Sequence, residues 1–377
     1  MKLFEVYPLM NITLEKGKGT YVHDTNGNRY LDFYGGHAVI SIGHSHPHYI
    51  ERISRQLSKI GFYSNSVQNP LQIELAYKLG EMSGLREYDL FLCNSGAEAN
   101  ENALKLASFY NNRKKIISFN KSFHGRTSGA VAATDNPKIV SPYNRLHDVT
   151  FLPLNNADLV KTELRSKEYA AIIIEGIQGI AGVREPAKDF LLELEQTCFE
   201  TNTVLILDEV QSGYGRTGDF FAHQQSGIKP DIITTAKGMG NGFPVGGVLI
   251  SPKFDAKFGM LGTTFGGNHL ACAASLAVLE VIKEEQLMKN AKMKGEILID
   301  ELKKLKAIKN VFGRGLMIGI EMNEPIAPFR KALAENRNIL TGTSSHPNIL
   351  RVLPPLNINN AEIDFFLNGI RAELNTN

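Results

Sequence analysis

The sequence predicts an α/β fold, a mostly parallel central sheet covered by helices, with strand-rich pieces towards both ends. Two observations carry that expectation. From about residue 50 to residue 270, short β-branched and aliphatic runs alternate with helical patterns, and no linker, low-complexity tract or repeat interrupts them. The runs are also unbroken: Val204, Leu205, Ile206 and Leu207 stand together without polar alternation, as in a strand buried on both faces.

In chain order, residues 1–45 read as strands. Residues 20–23 and 29–33 flank Asp24-Thr25-Asn26-Gly27-Asn28, whose Asn-Gly step favours a tight hairpin turn. His44, His46 and His48 follow, close enough to raise the question of a metal. No Glu, Asp or Cys comes after them at ligand spacing, so no metal is expected, only a loop opening a helix over 49–60. Further strands are expected at 89–93, 115–119, 149–152, 170–174, 204–207, 231–235 and 247–250, and a helix over 97–109. A long apolar helical pattern at 270–282 leads into the Lys- and Glu-rich stretch 283–306. Segments 315–321 and 350–353 are among the last elements.

Composition narrows the function. The chain of 377 residues can form two or three core-building units. A net charge of +2 gives no large field for nucleic acid or membrane, and neither is expected as a partner. Cys93, Cys198 and Cys272 form no CxxC pair and read as reduced packing residues. No signal peptide is expected from the opening residues, and no apolar run reaches the roughly 20 residues that span a bilayer, so a cytoplasmic location is expected.

The chemistry begins at two neighbouring strand ends. The run 204–207 delivers Asp208, and the run 231–235 delivers Lys237 into a glycine-rich turn, at the edge where open α/β sheets bind ligands. An acid and a lysine so placed suit pyridoxal phosphate. The amine bonds the cofactor's aldehyde, and the acid keeps the pyridine nitrogen protonated so that the ring can act as an electron sink. On these two residues alone, a strand-end salt bridge is the plainer account.

Four more constellations fall at predicted sheet edges or loops. Asn94-Ser95-Gly96-Ala97-Glu98 joins a strand to a helix. Ser95 and Glu98 read as a capping box, yet the same turn also makes a phosphate cup from free amides and the helix dipole. The dipole contributes only about 0.3–1 kcal/mol at an exposed site, so other donors must help. In Phe123-His124-Gly125-Arg126 the aromatic face can stack on a planar ring and the arginine fork can take a carboxylate; taken alone, a packed Phe and a solvated Arg are the plainer account. Thr263-Thr264-Phe265-Gly266-Gly267-Asn268 offers hydroxyls ahead of a helix, or is a plain capped loop. Arg351, before Val352-Leu353-Pro354-Pro355, needs an anionic partner if buried, or lies along the surface on its apolar stem. No P-loop, H-E-x-x-H or G-x-S-x-G competes, and Gly313-Arg314-Gly315-Leu316-Met317-Ile318-Gly319 misses the dinucleotide fingerprint by one residue.

Together these segments carry a resemblance that none carries alone. Asn94 to Ala99, Phe123 to Arg126, Leu207-Asp208-Glu209-Val210-Gln211-Ser212-Gly213-Tyr214-Gly215-Arg216-Thr217-Gly218, Lys237-Gly238 and Thr264 to Asn268 occur in the order and spacing of the class III pyridoxal-phosphate aminotransferases. The likeness runs from Gly19-Thr20-Tyr21 to Arg351-Val352-Leu353-Pro354-Pro355. It implies a fold-type-I architecture: a large cofactor-binding domain over 46–270 and a small α+β lobe over 271–377, with segment 1–45 packing against the small lobe. It implies that Lys237 carries the cofactor and moves the proton, and that Asp208 meets the ring nitrogen. Gln211 would meet the phenolic oxygen, Val210 and Phe123 the ring faces, and Ser95, Gly96 and Ala97 the phosphate. Thr264 would reach the phosphate of a neighbouring subunit, making a homodimer part of the site. Arg126 would bind the substrate carboxylate remote from the reacting amine, Arg351 the α-carboxylate of glutamate, and Thr263 would lie near the amino donor.

The implied reaction moves the δ-amino group of an N-acylornithine to 2-oxoglutarate. N-succinylornithine, ornithine or 4-aminobutyrate are alternative donors, and a non-catalytic pyridoxal-phosphate-binding regulator is the alternative of another class. One departure stands out. The family's Glu-Pro-x-Gln-Gly-Glu is Glu175-Gly176-Ile177-Gln178-Gly179-Ile180 here. The second glutamate normally covers the arginine at 351, and Ile180 cannot, so Arg351 is expected to stand open.

Overall fold

The computed structural model describes residues 1–375. Strands β1 (Leu14–Lys18), β2 (Tyr21–Asp24) and β3 (Arg29–Asp32) form an antiparallel meander. The Asp24 carboxylate shapes the β2–β3 turn by accepting from the Asn26 and Asn28 amides at 2.9 and 2.8 Å, and Gly27 takes a left-handed φ of 84°.

The central sheet has seven strands: β4 (Asp89–Cys93), β5 (Lys115–Phe119), β6 (Val149–Leu152), β7 (Tyr169–Glu175), β8 (Val204–Asp208), β9 (Ile232–Thr235) and β10 (Gly246–Ile250). Their order is β4-β10-β9-β8-β7-β5-β6. Every residue of β7 and β8 is buried, as the unbroken apolar runs require. The strand expected at 247–250 departs from the parallel pattern: β10 runs antiparallel to both β9 and β4. The link over 236–245 is too short to hold the crossover helix that a parallel return needs.

Helix Gly96–Asn111 packs on the sheet and ends at Asn112 in the left-handed region. Helix His269–Glu284 is buried over most of its circumference, packed on helices Pro47–Leu57 and Pro70–Ser83. The pattern that runs on into the Lys- and Glu-rich stretch breaks at Gln286 (φ 51°), and helix Leu287–Lys303 follows. At the C-terminal end, β11 (Ile308–Arg314), β12 (Met317–Met322), β14 (Gly342–Thr343) and β15 (Ile349–Val352) form an antiparallel sheet in the order β11-β12-β15-β14. The strand expected at 315–321 starts only at Met317, because Gly315 (φ 54°) and Leu316 make the hairpin turn. Between these, β13 (Ile339–Leu340) pairs in parallel with β3, so the N-terminal meander and the C-terminal part share a sheet.

Two buried side chains strap the pieces around the strand ends. Asn241 accepts from the Ser41 and Ile42 amides at 2.8 and 3.1 Å and donates to the Gly43 carbonyl at 3.0 Å. The Arg216 guanidinium reaches the carbonyls of Leu316, Pro354 and Ile40. The three histidines do not converge. His44, His46 and His48 pair with Asp32, Glu285 and Glu280 respectively, and no metal-ligand cluster occurs among the described residues.

Candidate active site

The carboxyl ends of β8 and β9 set the site. These strands pair in parallel, with Asp208 opposite Thr234, and Lys237 follows β9 in a single helical turn with a left-handed φ of 46°. Both residues line a cavity of about 380 Å³ at the edge where open sheets bind ligands.

Asp208 is buried and held by three donors. Its Oδ2 accepts from Asn100 Nδ2 at 2.7 Å and His124 Nδ1 at 2.8 Å, and its Oδ1 accepts from the Val210 amide at 3.0 Å. Asn100 is held in turn by Thr234, whose hydroxyl donates to its Oδ1 at 2.6 Å. Every contact is a donor aimed at an acceptor-only group, which is what a buried carboxylate needs. Glu175, at the end of β7, also lines the cavity and accepts from the Phe123 and Gly179 amides, each at 3.0 Å. Burial pushes its pKa up to about 7 against the charge of His124, with Asp208 adding to the rise.

The Lys237 amine has no hydrogen-bond or ion-pair partner among the described residues. Burial pushes its amine down to about 8; the charge of Arg351 adds to the shift, while Asp208 and Glu175 oppose it.

The turn before helix Gly96–Asn111 only half forms the expected capping box. Ser95 Oγ accepts from the Glu98 amide at 3.2 Å, but Glu98 Oε2 takes both the amide and the Nδ2 of Asn94, at 2.8 Å each. The reciprocal bond lands one residue early, so the amides of Ser95, Gly96 and Ala97 keep no acceptor among the described residues. All three residues line the cavity. Glycine is required beside them: a Cβ on Gly96 would sit 2.6 Å from Val210 Cγ1, and one on Gly125 (φ 138°) 2.6 Å from Ala97 Cβ.

Phe123, Val210, Gln211 and Arg126 complete the expected part of the wall. Arg126 is exposed and has no partner among the described residues. Thr263, Thr264 and Arg351 are not on the wall of the single chain. Thr263 spends its hydroxyl on Asn94 Nδ2 (3.1 Å) and the Gly266 amide (3.2 Å), and Thr264 is exposed. Arg351 does not stand open. It is 1% exposed, and it donates through Nε to the Thr343 carbonyl and through Nη1 to Gln211 Oε1 at 3.2 Å. Sequence reading gave no role to Asn100, His124 or Glu175. Asn100 was legible in part, since it lies one helical turn after Gly96 and so on the same face.

The family profile described as Aminotransferase class-III matches residues 5–374. The chain belongs to this family. Among its relatives, the acetylornithine aminotransferase of Archaeoglobus fulgidus is 42% identical over 96% of this chain and 95% of its own. The Bacillus subtilis acetylornithine aminotransferase is also 42% identical, over 96% and 94%. Among solved structures, the ornithine aminotransferase from Toxoplasma gondii superimposes with a TM-score of 0.92 at 29% identity, covering 98% of this chain and 92% of that one.

Class-III aminotransferases depend on pyridoxal 5'-phosphate, which supplies an aldehyde and an electron sink when bound. The donor set of this cavity fits it. Unpaired amides at a helix N-terminus suit its phosphate, a partnerless amine its aldehyde, and an acceptor-only carboxylate its protonated ring nitrogen.

Capture of pyridoxal phosphate by the apoprotein is expected to quicken as pH rises through about 8, where Lys237 loses its proton, rather than near the ordinary lysine value of 10.5. Stopped-flow absorbance at a series of pH values reads the midpoint. Asp208→Asn should keep the cofactor but lose most of kcat, roughly 3–4 kcal/mol of transition-state stabilisation, because an amide cannot hold the ring nitrogen protonated. A loss below about tenfold would mean that another group serves the nitrogen.

Proposed function

We propose that this aminotransferase moves the δ-amino group of N2-acetylornithine to 2-oxoglutarate, giving N-acetylglutamate 5-semialdehyde and glutamate. The observation that carries the reading is the pair of arginines around Lys237. Arg126 stands unpartnered on the cavity wall, while Arg351 is buried behind Gln211. A donor with one carboxylate far from its reacting amine needs one such receptor; an acceptor with a carboxylate at each end needs two. The names of the Archaeoglobus and Bacillus relatives support acetylornithine as the donor.

In this reading each residue has a place. Lys237 Nζ holds the cofactor and then carries the proton taken from the amine-bearing carbon of the substrate, a task suited to an amine that burial poises near 8. Asp208 holds the proton on the ring nitrogen, with His124 and Asn100 fixing its orientation. Ser95, Gly96 and Ala97 bind the phosphate through their amides, Phe123 and Val210 cover the ring faces, and Gln211 serves the phenolic oxygen. Arg126 takes the donor's carboxylate with Thr263 nearby, and Arg351 takes the α-carboxylate of glutamate.

A homodimer belongs to the same proposal, with Thr264 reaching a partner's phosphate. Thr264 is exposed on a loop held by Asn65 and Gln72, which donate to the Gly266 and Gly267 carbonyls. Next to it the exposed rings of Phe62 and Phe265 meet at 5.3 Å, an apolar surface suited to burial against a second copy. A cytoplasmic location goes with this reading, and no helix among the described residues is long and apolar enough to cross a membrane.

Single half-reactions test the substrate. The cofactor absorbance should convert fastest with N2-acetylornithine among acetyl-, succinyl- and free ornithine, and glutamate should convert it too. Faster conversion by free ornithine would move the reading towards the Toxoplasma activity, and no conversion by any amine would leave a cofactor-binding protein without turnover. Thr264→Ala should weaken cofactor retention and dimer stability together, by about 1.5–3 kcal/mol for one hydrogen bond to a charged phosphate. Sedimentation at graded cofactor concentrations checks it, and a monomer that holds the cofactor as tightly as the dimer would contradict the shared site.

A further inference from the structure

The resemblance implies an acid over the arginine at 351 and Ile180 stands in its place, yet Arg351 is covered. We propose that Gln211 is the gate over Arg351, a neutral amide doing the work of the missing carboxylate and so setting how readily dicarboxylate substrates enter. The proposal rests on the assignment of Arg351 as a substrate-carboxylate receptor.

Three independent features of the structure place the amide there. Gln211 Oε1 accepts from Arg351 Nη1 at 3.2 Å, and Arg351 takes part in no ion pair among the described residues. The amide is held in that orientation from its other end, where Nε2 donates to the His37 carbonyl at 3.1 Å. That carbonyl is presented by an unusual left-handed run, Gly35 (φ 56°), Gly36 (φ 54°), His37 (φ 68°) and Ala38 (φ 64°), a backbone outlier of the kind that persists where the surroundings over-determine it. Finally, the loop makes room: a Cβ on Gly179 would overlap Gln211 Oε1, so the residue beside Ile180 must be glycine for the amide to sit where it does.

The consequence follows from the strengths of the two kinds of contact. A guanidinium–carboxylate contact is charge-assisted on both sides, whereas an amide oxygen contributes an acceptor without charge. An incoming carboxylate therefore displaces Gln211 from Arg351 more easily than it would displace an ionised glutamate, while Arg351 stays covered whenever its own ligand is absent. Gln211 lines the cavity and Arg351 does not, so the amide lies between the arginine and the substrate space. The acylornithine brings no carboxylate to this side and leaves the gate shut.

Two unreactive ligands and three variants test this by calorimetry on the holoenzyme. Glutarate carries both carboxylates of 2-oxoglutarate; N-acetylnorvaline keeps the acylornithine skeleton without its amine and reads the Arg126 side. Gln211→Glu, which changes charge but not size, should weaken glutarate at least tenfold and leave N-acetylnorvaline within about twofold. Gln211→Leu should bind glutarate as tightly as the unmodified protein or more tightly. Arg351→Leu should lose glutarate and keep N-acetylnorvaline. If the two Gln211 variants weaken glutarate equally, or weaken both ligands together, Gln211 acts through cofactor placement or packing and the gate is overturned alone. If Gln211→Glu leaves glutarate unchanged, the gate is likewise overturned. If Arg351→Leu leaves glutarate unchanged, the receptor assignment falls and takes the gate with it.

Discussion

The buried carboxylate of Asp208 is the constraint on which the site depends. An ion taken out of water at the end of β8 must be met by donors, and breaking such a buried set by removing one partner commonly costs about 3–5 kcal/mol. The donors come from three places: helix Gly96–Asn111 through Asn100, the loop after β5 through His124, and the turn after β8 through the Val210 amide. Satisfying one carboxylate therefore fixes the helix whose first turn offers free amides, the loop that carries Phe123 and Arg126, and the turn that carries Val210 and Gln211. The free amides at the helix start and the Asp208 carboxylate are aligned by the same hydrogen bonds.

The charges of the cavity are arranged around that fixed point. Burial pushes Lys237 down and Glu175 up, each towards its neutral form. Perturbation in both directions within one cleft is what general acid–base chemistry near neutral pH requires. The two arginines differ in access rather than in kind. Arg126 is exposed on the cavity wall, while Arg351 is buried and bonded to Gln211.

Much of this was legible in the sequence, and the reasons are local. The run from Val204 to Leu207 announces a strand buried on both faces, and its end names Asp208. Ser95 and Glu98 announce a helix start at three-residue spacing. What was not legible depends on contacts distant in the chain. The reversal of β10 follows from the geometry of the lysine turn rather than from the apolar pattern of 247–250, which reads the same in either direction. Glu98 bonds Asn94 rather than Ser95, and it is this shift that frees a third amide. His124 meets Asp208 because β5 and β8 end at the same edge of the central sheet, and Gln211 meets Arg351 because β15 of the C-terminal sheet comes up beside the turn after β8. The absence of an acid at Ile180 was plain to read, but its consequence was not, because the covering group lies on another loop.

The central claim is that the ends of β8 and β9 bring Asp208 and Lys237 onto one cofactor. Its most direct test is chemical trapping. The purified protein, loaded with pyridoxal phosphate, is reduced with borohydride, digested and mapped by mass spectrometry. The account predicts a single pyridoxyl-modified lysine, Lys237. Modification of another lysine, or none at all, would contradict it.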